Sequence, residues 1–362
     1  MRKAWLLLPI LALLPLGGVD ASERTAAVGD LLVADPDASS GSVFRVVPSN
    51  GAQSTLASGG SLHNTRGIAT APNGDVYTGN FDLSGSTDSV VRVDPTTGAQ
   101  TVLASGGSLV NVFGVDLEAS GDVVVADVKA FGSAANGAVM RVNATTGAVT
   151  TVSSGGSLAD PFDLDVAANG DIIVVDDEAF GTGGVIRVNP TTGDQTMVSS
   201  GGNFVSPIGI ALDSAGQILV ADEDAFGGPG AIFKIDPATG TQTTLSQGGS
   251  FQQPRGLVVA ADGQIYVSDQ QAFGSGGIIR VDPGTGAQTT VASGGSFANP
   301  TAIDLDRSVQ PPPPGTNEEC EKAKAAVRKA KKALKRADTE QEKERARKRL
   351  KRAKARMRAA CD

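Results

Sequence analysis

The sequence predicts an all-β, six-bladed β-propeller with four-stranded blades, because two independent markers define the same internal repeat. One marker is a cation that precedes a Val or Ile, and the other is the first glycine of a Gly-Gly pair. Both recur six times, at identical spacings of 47, 49, 46, 47 and 46 residues. The cations are Arg45, Arg92, Arg141, Arg187, Lys234 and Arg280, and the glycines are Gly59, Gly106, Gly155, Gly201, Gly248 and Gly294.

Each repeat contains four short segments typical of strands. In the fourth repeat they are residues 162–166, 172–175, 185–188 and 195–198, separated by turn sequences such as Asn169-Gly170-Asp171. Four strands in about 40–50 residues are typical of a propeller blade. A helical solenoid is excluded, since the repeats contain no stretch with a period of 3.6 residues.

The two ends of the repeat array predict how the ring closes. The first repeat begins with its second strand, residues 31–34, and lacks a first strand. The last repeat is followed by an additional first strand, residues 301–305. We expect this C-terminal strand to become the innermost strand of blade 1, which removes an exposed sheet edge.

The N-terminus predicts export. Arg2 and Lys3 precede an apolar run of 13 residues, and small residues occupy the cleavage positions before Ser22. Residues 1–21 therefore read as a signal peptide, and the protein is expected to be secreted, either extracellular or periplasmic. The apolar run is too short for a transmembrane helix, so no transmembrane segment is expected.

Charge divides the chain into two modules. Residues 22–317 carry 11 basic and 30 acidic side chains, whereas residues 318–362 carry 18 basic and 8 acidic side chains. The acidic propeller is not expected to bind nucleic acid. The basic tail suits an anionic cell-surface polymer, the acidic propeller itself, or simply solvent.

The tail predicts a third type of structure. The propeller, residues 29–306, is followed by a Pro-rich linker, residues 307–317. Residues 318–362 hold two heptad patterns separated by a capping box, which predict a basic, antiparallel, coiled-coil-like helical hairpin. The hairpin places Cys320 and Cys361 at one end, where a disulfide is expected; free or intermolecular thiols are the alternative.

Repeat motifs carry a family resemblance. They read Pro207-Ile208-Gly209-Ile210, residues 216–222 (GQILVAD) and residues 278–283 (IIRVDP). Residues 29–306 resemble NHL-repeat propellers and the related gluconolactonase-like and streptogramin-lyase-like families, which implies a six-bladed fold and either binding or enzymatic activity. The tail resembles Cys-bounded, Lys/Arg/Ala-rich helical hairpins of secreted bacterial proteins.

Two sets of loop residues are candidates for a ligand site on the top face, where the loops after the second and fourth strands meet. An acid or amide opens the loop after every second strand, either to cap that loop or to form a carboxylate ring: Asp35, Asn80, Asp127, Asp176, Asp222 and Asp269. Four of these loops then carry Phe131, Phe180, Phe226 and Phe273, as loop anchors or as an exposed aromatic crescent. The sector without Phe holds His63, Arg66, Asp37 and Asp82, and is the best candidate for a pocket.

A third set lies on the inner strands. Asp116, Asp165 and Asp304 occupy equivalent positions, and Asp163 precedes Asp165 by two residues. These carboxylates suit a Ca²⁺ ion in the channel, or they face channel water.

The resemblance does not carry an active site over to this chain. Gluconolactonase-like proteins hold their metal with a glutamate near the first blade, and no glutamate occupies an early inner strand here; the lyase-like families need more than the single His63. The sequence therefore favours a secreted, non-enzymatic binding or scaffold propeller that takes a small ligand, glycan or protein at its top face and channel mouth. The alternatives are a Ca²⁺-dependent lactonase or lyase and a cell-envelope attachment protein.

Overall fold

The computed structural model describes residues 29–81, 88–132 and 137–307, together with five single positions in the tail, at 327, 329, 343, 348 and 351. In the three described ranges, 24 strands form six separate antiparallel sheets of four strands each. The sheets are the blades of a six-bladed β-propeller, so the predicted fold class is confirmed.

Each blade runs from an inner strand at the channel to an outer strand at the rim. The inner strands are β4 (Thr65–Thr70), β8 (Val112–Leu117), β12 (Pro161–Val166), β16 (Pro207–Leu212), β20 (Pro254–Val259) and β24 (Ala302–Leu305). The second strands are β1 (Leu31–Asp35), β5 (Val76–Asn80), β9 (Val123–Asp127), β13 (Ile172–Asp176), β17 (Ile218–Asp222) and β21 (Ile265–Asp269).

The third and outer strands complete the blades. The third strands are β2 (Ser42–Val46), β6 (Ser89–Val93), β10 (Ala138–Val142), β14 (Gly184–Val188), β18 (Ala231–Ile235) and β22 (Gly277–Val281). The outer strands are β3 (Gln53–Ser58), β7 (Gln100–Ser105), β11 (Val149–Ser154), β15 (Gln195–Ser200), β19 (Gln242–Gln247) and β23 (Gln288–Ser293). Short 3-10 turns follow five of the second strands: Ala38–Ser40, Ala130–Gly132, Ala179–Gly181, Ala225–Gly227 and Ala272–Gly274.

Burial explains the strand sequences. The second strands are apolar runs such as IIVVD, and every residue in them is buried, because each sheet packs between two neighbouring blades. The outer strands, such as QTTLSQ, contain exposed residues and few buried ones, since they form the rim of the ring.

Inner strands approach one another so closely at Gly114 and Gly209 that neither position has room for a Cβ. A Cβ at Gly114 would lie 2.6 Å from Cα of Asp163 in the next blade, and a Cβ at Gly209 would collide with the carbonyl of Arg255. Neither glycine has a positive φ, so the requirement comes from interblade packing rather than from the backbone conformation.

The ring closes as the sequence predicts. Strand β24 pairs antiparallel with β1, with Leu305 opposite Leu31, and so supplies the inner strand of blade 1. Next to this pairing, the Arg45 Nε group donates to Asp306 Oδ2 at 2.6 Å, and Asp306 N donates to the carbonyl of Asp30. Arg45, the first of the six repeated cations, therefore also stabilises the closure of the ring.

Several predictions fall outside the described ranges. They are the signal peptide, the Pro-rich linker, the helical hairpin with its Cys320–Cys361 disulfide, and the candidate site residue Asp82. Among the described residues, no helix is long and apolar enough to cross a membrane.

Candidate functional site

The acidic ring on the top face has structural partners. Asp176 accepts backbone hydrogen bonds from Ala159 and Asp160 in the loop that leads into its blade, and from Glu178 in its own loop. Asp35, Asp127, Asp222 and Asp269 make corresponding bonds, and Asn80 bonds to Ser61 and Thr65 instead. All six side chains belong to buried residues, and these contacts support the loop-capping interpretation.

The four phenylalanines are half-exposed and lie outside the channel. Phe131, Phe180, Phe226 and Phe273 are 44–55% exposed and have φ values between 56° and 62°. Such left-handed backbone costs a non-glycine residue about 1–2 kcal/mol. The ring of Phe180 packs on Gly184 at the start of β14, where a Cβ would lie 2.8 Å from Phe180 Cδ2. The rings of Phe180 and Phe273 therefore cover the start of their third strands, and none of the four rings lines the chamber or mouth of the channel described below.

A polar chamber of about 210 Å³ lies in the channel and contains the four predicted inner-strand carboxylates together with Arg307. Their oxygens accept hydrogen bonds from the neighbouring inner strand: Asp304 from Thr70 N, Asp116 from Val166 N, Asp165 from Leu212 N, each at 2.7 Å, and Asp163 from Ile210 N at 3.2 Å. Each bond satisfies an N–H at an inner-strand edge that has no further strand to pair with.

Burial governs the ionisation of the chamber carboxylates. It raises the pKa of Asp116 to about 6 and that of Asp163 to about 7, against backbone hydrogen bonds that lower both. Burial and the charge of Asp116 raise the pKa of Asp165 well above its usual value. Among the described residues, no group of three or more His, Cys, Asp or Glu side chains is arranged to hold a metal ion. The Ca²⁺ site stays a prediction from the sequence.

The top end of the channel narrows to a mouth with a space of about 30 Å³. Two successive residues from each blade line it. The second of each pair is a glycine, except for Asp163 and Ala302, and the first residues are Arg66, Phe113, Phe162, Ile208, Arg255 and Thr301. Going round the ring, Arg255, Thr301 and Arg66 come from consecutive blades and form a polar half. Phe113, Phe162 and Ile208 form an apolar half.

Aromatic contacts build the apolar half. The Phe113 ring lies 5.0 Å from the Phe162 ring, edge to face, and 5.8 Å from the Phe81 ring. The guanidinium carbon of Arg66 lies 5.5 Å from the centre of the Phe113 ring, a cation–π contact. The aromatic wall, defined as Phe81, Phe113 and Phe162, thus positions one cation of the polar half.

The polar half contains buried groups without partners. Among the described residues, six buried side-chain atoms have no hydrogen-bond partner, and two of them belong to residues that line the mouth, Arg66 Nε and Arg255 Nε. Arg255 forms an ion pair with Glu223 through Nη2, at 2.8 Å. Burial lowers the pKa of Arg66, and the nearby charge of Arg255 lowers it further. An unpaired buried donor or acceptor costs about 1–3 kcal/mol, which a matching ligand recovers.

The predicted sector is therefore only partly brought together. Arg66 lines the mouth, and Asp37 lies beside it, where its carboxylate accepts a hydrogen bond from Asn299 Nδ2 at 2.9 Å. His63 is an exposed loop residue, and it does not line the mouth. Arg255, Phe113 and Phe162 were not among the residues predicted from the sequence. They stand at the second position of the inner-strand motif, and a comparison of that position across all six repeats would have found them.

Comparison with solved structures shows the same fold. The chain is similar to a chain of a nidogen/laminin complex (TM-score 0.60, 16% identity, covering 77% of this chain and 98% of that one). It is similar to TolB from Acinetobacter baumannii (TM-score 0.59, 13% identity, covering 76% of this chain and 66% of that one). It is also similar to a periplasmic gluconolactonase from Pseudomonas aeruginosa (TM-score 0.53, 15% identity, covering 77% of this chain and 99% of that one). No family model and no curated protein matches the sequence. At these identities, the likeness is one of fold, and the chain is a six-bladed propeller whose structural neighbours include a chain of a nidogen/laminin complex and a gluconolactonase.

Proposed function

We propose that this protein is an exported, non-enzymatic binding protein that captures a small ligand at the top mouth of its propeller. The observation that carries the proposal is that two residues lining that mouth, Arg66 and Arg255, each have a buried Nε group without a hydrogen-bond partner. Native proteins leave few such groups unpaired, and a ligand that pairs them is the simplest physical reason for keeping them.

The chemistry of the mouth favours binding over catalysis. Its lining offers two guanidiniums, two phenyl rings, two aliphatic side chains, a hydroxyl and the carboxylate of Asp163, whose oxygens already accept backbone hydrogen bonds from Leu164 and Ile210. Guanidiniums stay protonated at physiological pH and do not act there as general bases. The single histidine of the chain, His63, lies in an exposed loop.

A ligand screen on the purified chain tests the proposal. Thermal shift is measured with organic acids, sugars, lactones and short peptides, on the wild type, on Phe113→Ala in the aromatic wall, and on Phe180→Ala as a matched control on the same face. We expect a ligand whose binding weakens about tenfold in Phe113→Ala and stays unchanged in Phe180→Ala, because only the first ring lines the mouth.

Two outcomes would overturn the proposal. The first is that every ligand found binds Phe113→Ala as well as the wild type, which would place recognition elsewhere. The second is turnover of a lactone that is lost on chelation, which would favour the enzymatic alternative.

A further inference from the structure

We infer that the group entering the mouth is a carboxylate carried on an aromatic or apolar body, and that Arg66 and Arg255 bind it from the two sides of Thr301. This inference rests on the proposed function, since it specifies the ligand class of the same mouth. The juxtaposition that carries it is two guanidiniums with unpartnered Nε–H groups opposite an aromatic wall.

The two guanidiniums have donors to spare. The Arg66 guanidinium lies over the Phe113 ring, and its buried Nε has no hydrogen-bond partner. Arg255 uses Nη2 on Glu223, and its buried Nε also has no partner. Planar guanidinium forks match the two oxygens of a carboxylate, and such charge-assisted bonds are stronger than neutral ones.

The distribution of cations supports an anionic ligand. Ten Lys and Arg side chains occur in residues 29–307, and six of them are the repeated cations on the third strands. Two of the remaining four, Arg66 and Arg255, both line the mouth. Their positive charges repel each other there, which is unfavourable. An anion between them removes that repulsion.

Size and surroundings favour a carboxylate over a larger or more highly charged group. The mouth's space of about 30 Å³ is about twice what one water molecule needs, which suits the two oxygens of a carboxylate. Asp163 forms part of the wall of the mouth, and Glu223 forms an ion pair with Arg255. A dianion would therefore be repelled more strongly than a monoanion. The aromatic wall and Ile208 then offer an apolar surface to the rest of the ligand.

Benzoate is the probe, with benzamide as its neutral counterpart, acetate as a carboxylate without a ring, and inorganic phosphate as a multivalent anion. Dissociation constants are measured by calorimetry or NMR on the wild type, Arg66→Met and Arg255→Met. The matched control is Arg280→Met, which removes one positive charge from β22 of the same blade as Arg255 but outside the mouth. We expect benzoate to bind about tenfold tighter than benzamide and acetate, and each mouth variant to lose that preference.

A gain-of-function variant covers the case in which an arginine variant fails to fold. Glu223→Gln removes the carboxylate that competes for Arg255 and should tighten benzoate binding severalfold, a result that misfolding cannot produce. Tight binding of a peptide that ends in Phe, lost on amidation of its C-terminus, would support the same chemistry from a peptide source.

Three results would overturn the inference: benzamide binding as well as benzoate, phosphate binding more tightly than benzoate, or benzoate binding that survives both arginine variants. A neutral ligand that depends on Phe113 would overturn this inference and leave the proposed function standing. Absence of any ligand that depends on Phe113 would overturn both.

Discussion

Asp304, on the strand that closes the ring, accepts a hydrogen bond from the backbone N–H of Thr70 in the next blade, at 2.7 Å. Asp116 and Asp165 repeat this bond towards Val166 and Leu212. Three of the six interblade junctions around the channel are thus held by an aspartate that pairs with a free strand edge. The channel carboxylates have a structural role that does not require a ligand.

Replacing Asp304 with Ala should destabilise the propeller by about 1–3 kcal/mol, because the buried Thr70 N–H loses its partner. Asp304→Asn should cost less, since its amide oxygen accepts the same bond. The measurement is chemical denaturation of both variants at a fixed pH. An Ala variant as stable as the wild type would show that water replaces the carboxylate.

The propeller should be more stable at pH 5 than at pH 8. Asp116 and Asp163 have folded-state pKa values of about 6 and 7, above the ordinary value of 3.8, because burial disfavours their charged forms. Their contribution to stability is full below pH 3.8 and is lost as the pH rises through 6–7. For Asp163 alone, the loss between pH 5 and 8 is about 3 kcal/mol, because about two pH units separate pH 5 from its folded-state pKa. Asp163→Asn should flatten this dependence in denaturation curves; an unchanged pH profile would assign it to other groups.

Gly209→Ala should destabilise the fold by about 3 kcal/mol or more, because the added Cβ collides with the carbonyl of Arg255 and the inner strands must separate. Gly228→Ala is the matched control, since a Cβ there meets nothing within 4 Å and φ is not positive. The comparison is made by thermal unfolding. Equal effects of the two substitutions would contradict the close approach of blades 5 and 6.

Phe180→Asn should change the unfolding free energy by less than about 1 kcal/mol. Asn adopts left-handed backbone readily, so relief of that cost offsets the lost contact with Gly184. Phe233→Ala, at a fully buried ring, should instead cost about 3–5 kcal/mol. A large loss in Phe180→Asn would show that the half-exposed rings are true anchors.

A chain that ends at Arg307 should unfold at the same temperature as the full chain, because the propeller is closed by Ala302–Leu305 without the tail. When the chain is produced in an oxidising compartment, Cys320 and Cys361 should form the predicted disulfide. Its intact mass without reductant should then be lower by two hydrogen atoms than after reduction. A concentration-dependent dimer held by reducible bonds would favour the intermolecular alternative.

The amino-acid sequence was enough to predict the number of blades, their four strands and the closure by residues 301–305, because these follow from local turn chemistry and from a repeat that needs no knowledge of contacts. It also pointed to Arg66 and Asp37, together with His63 and Asp82, because their sector lacks the Phe that four other loops carry. Only the tertiary structure brought Arg255 and Phe113 to Arg66, and gave Asp116 and Asp304 their partners in neighbouring blades. These contacts join residues from about 50 to more than 230 positions apart. The physical reason is that the mouth is built between blades, with two successive residues from each, whereas the periodicity of a sequence reports what happens within a blade.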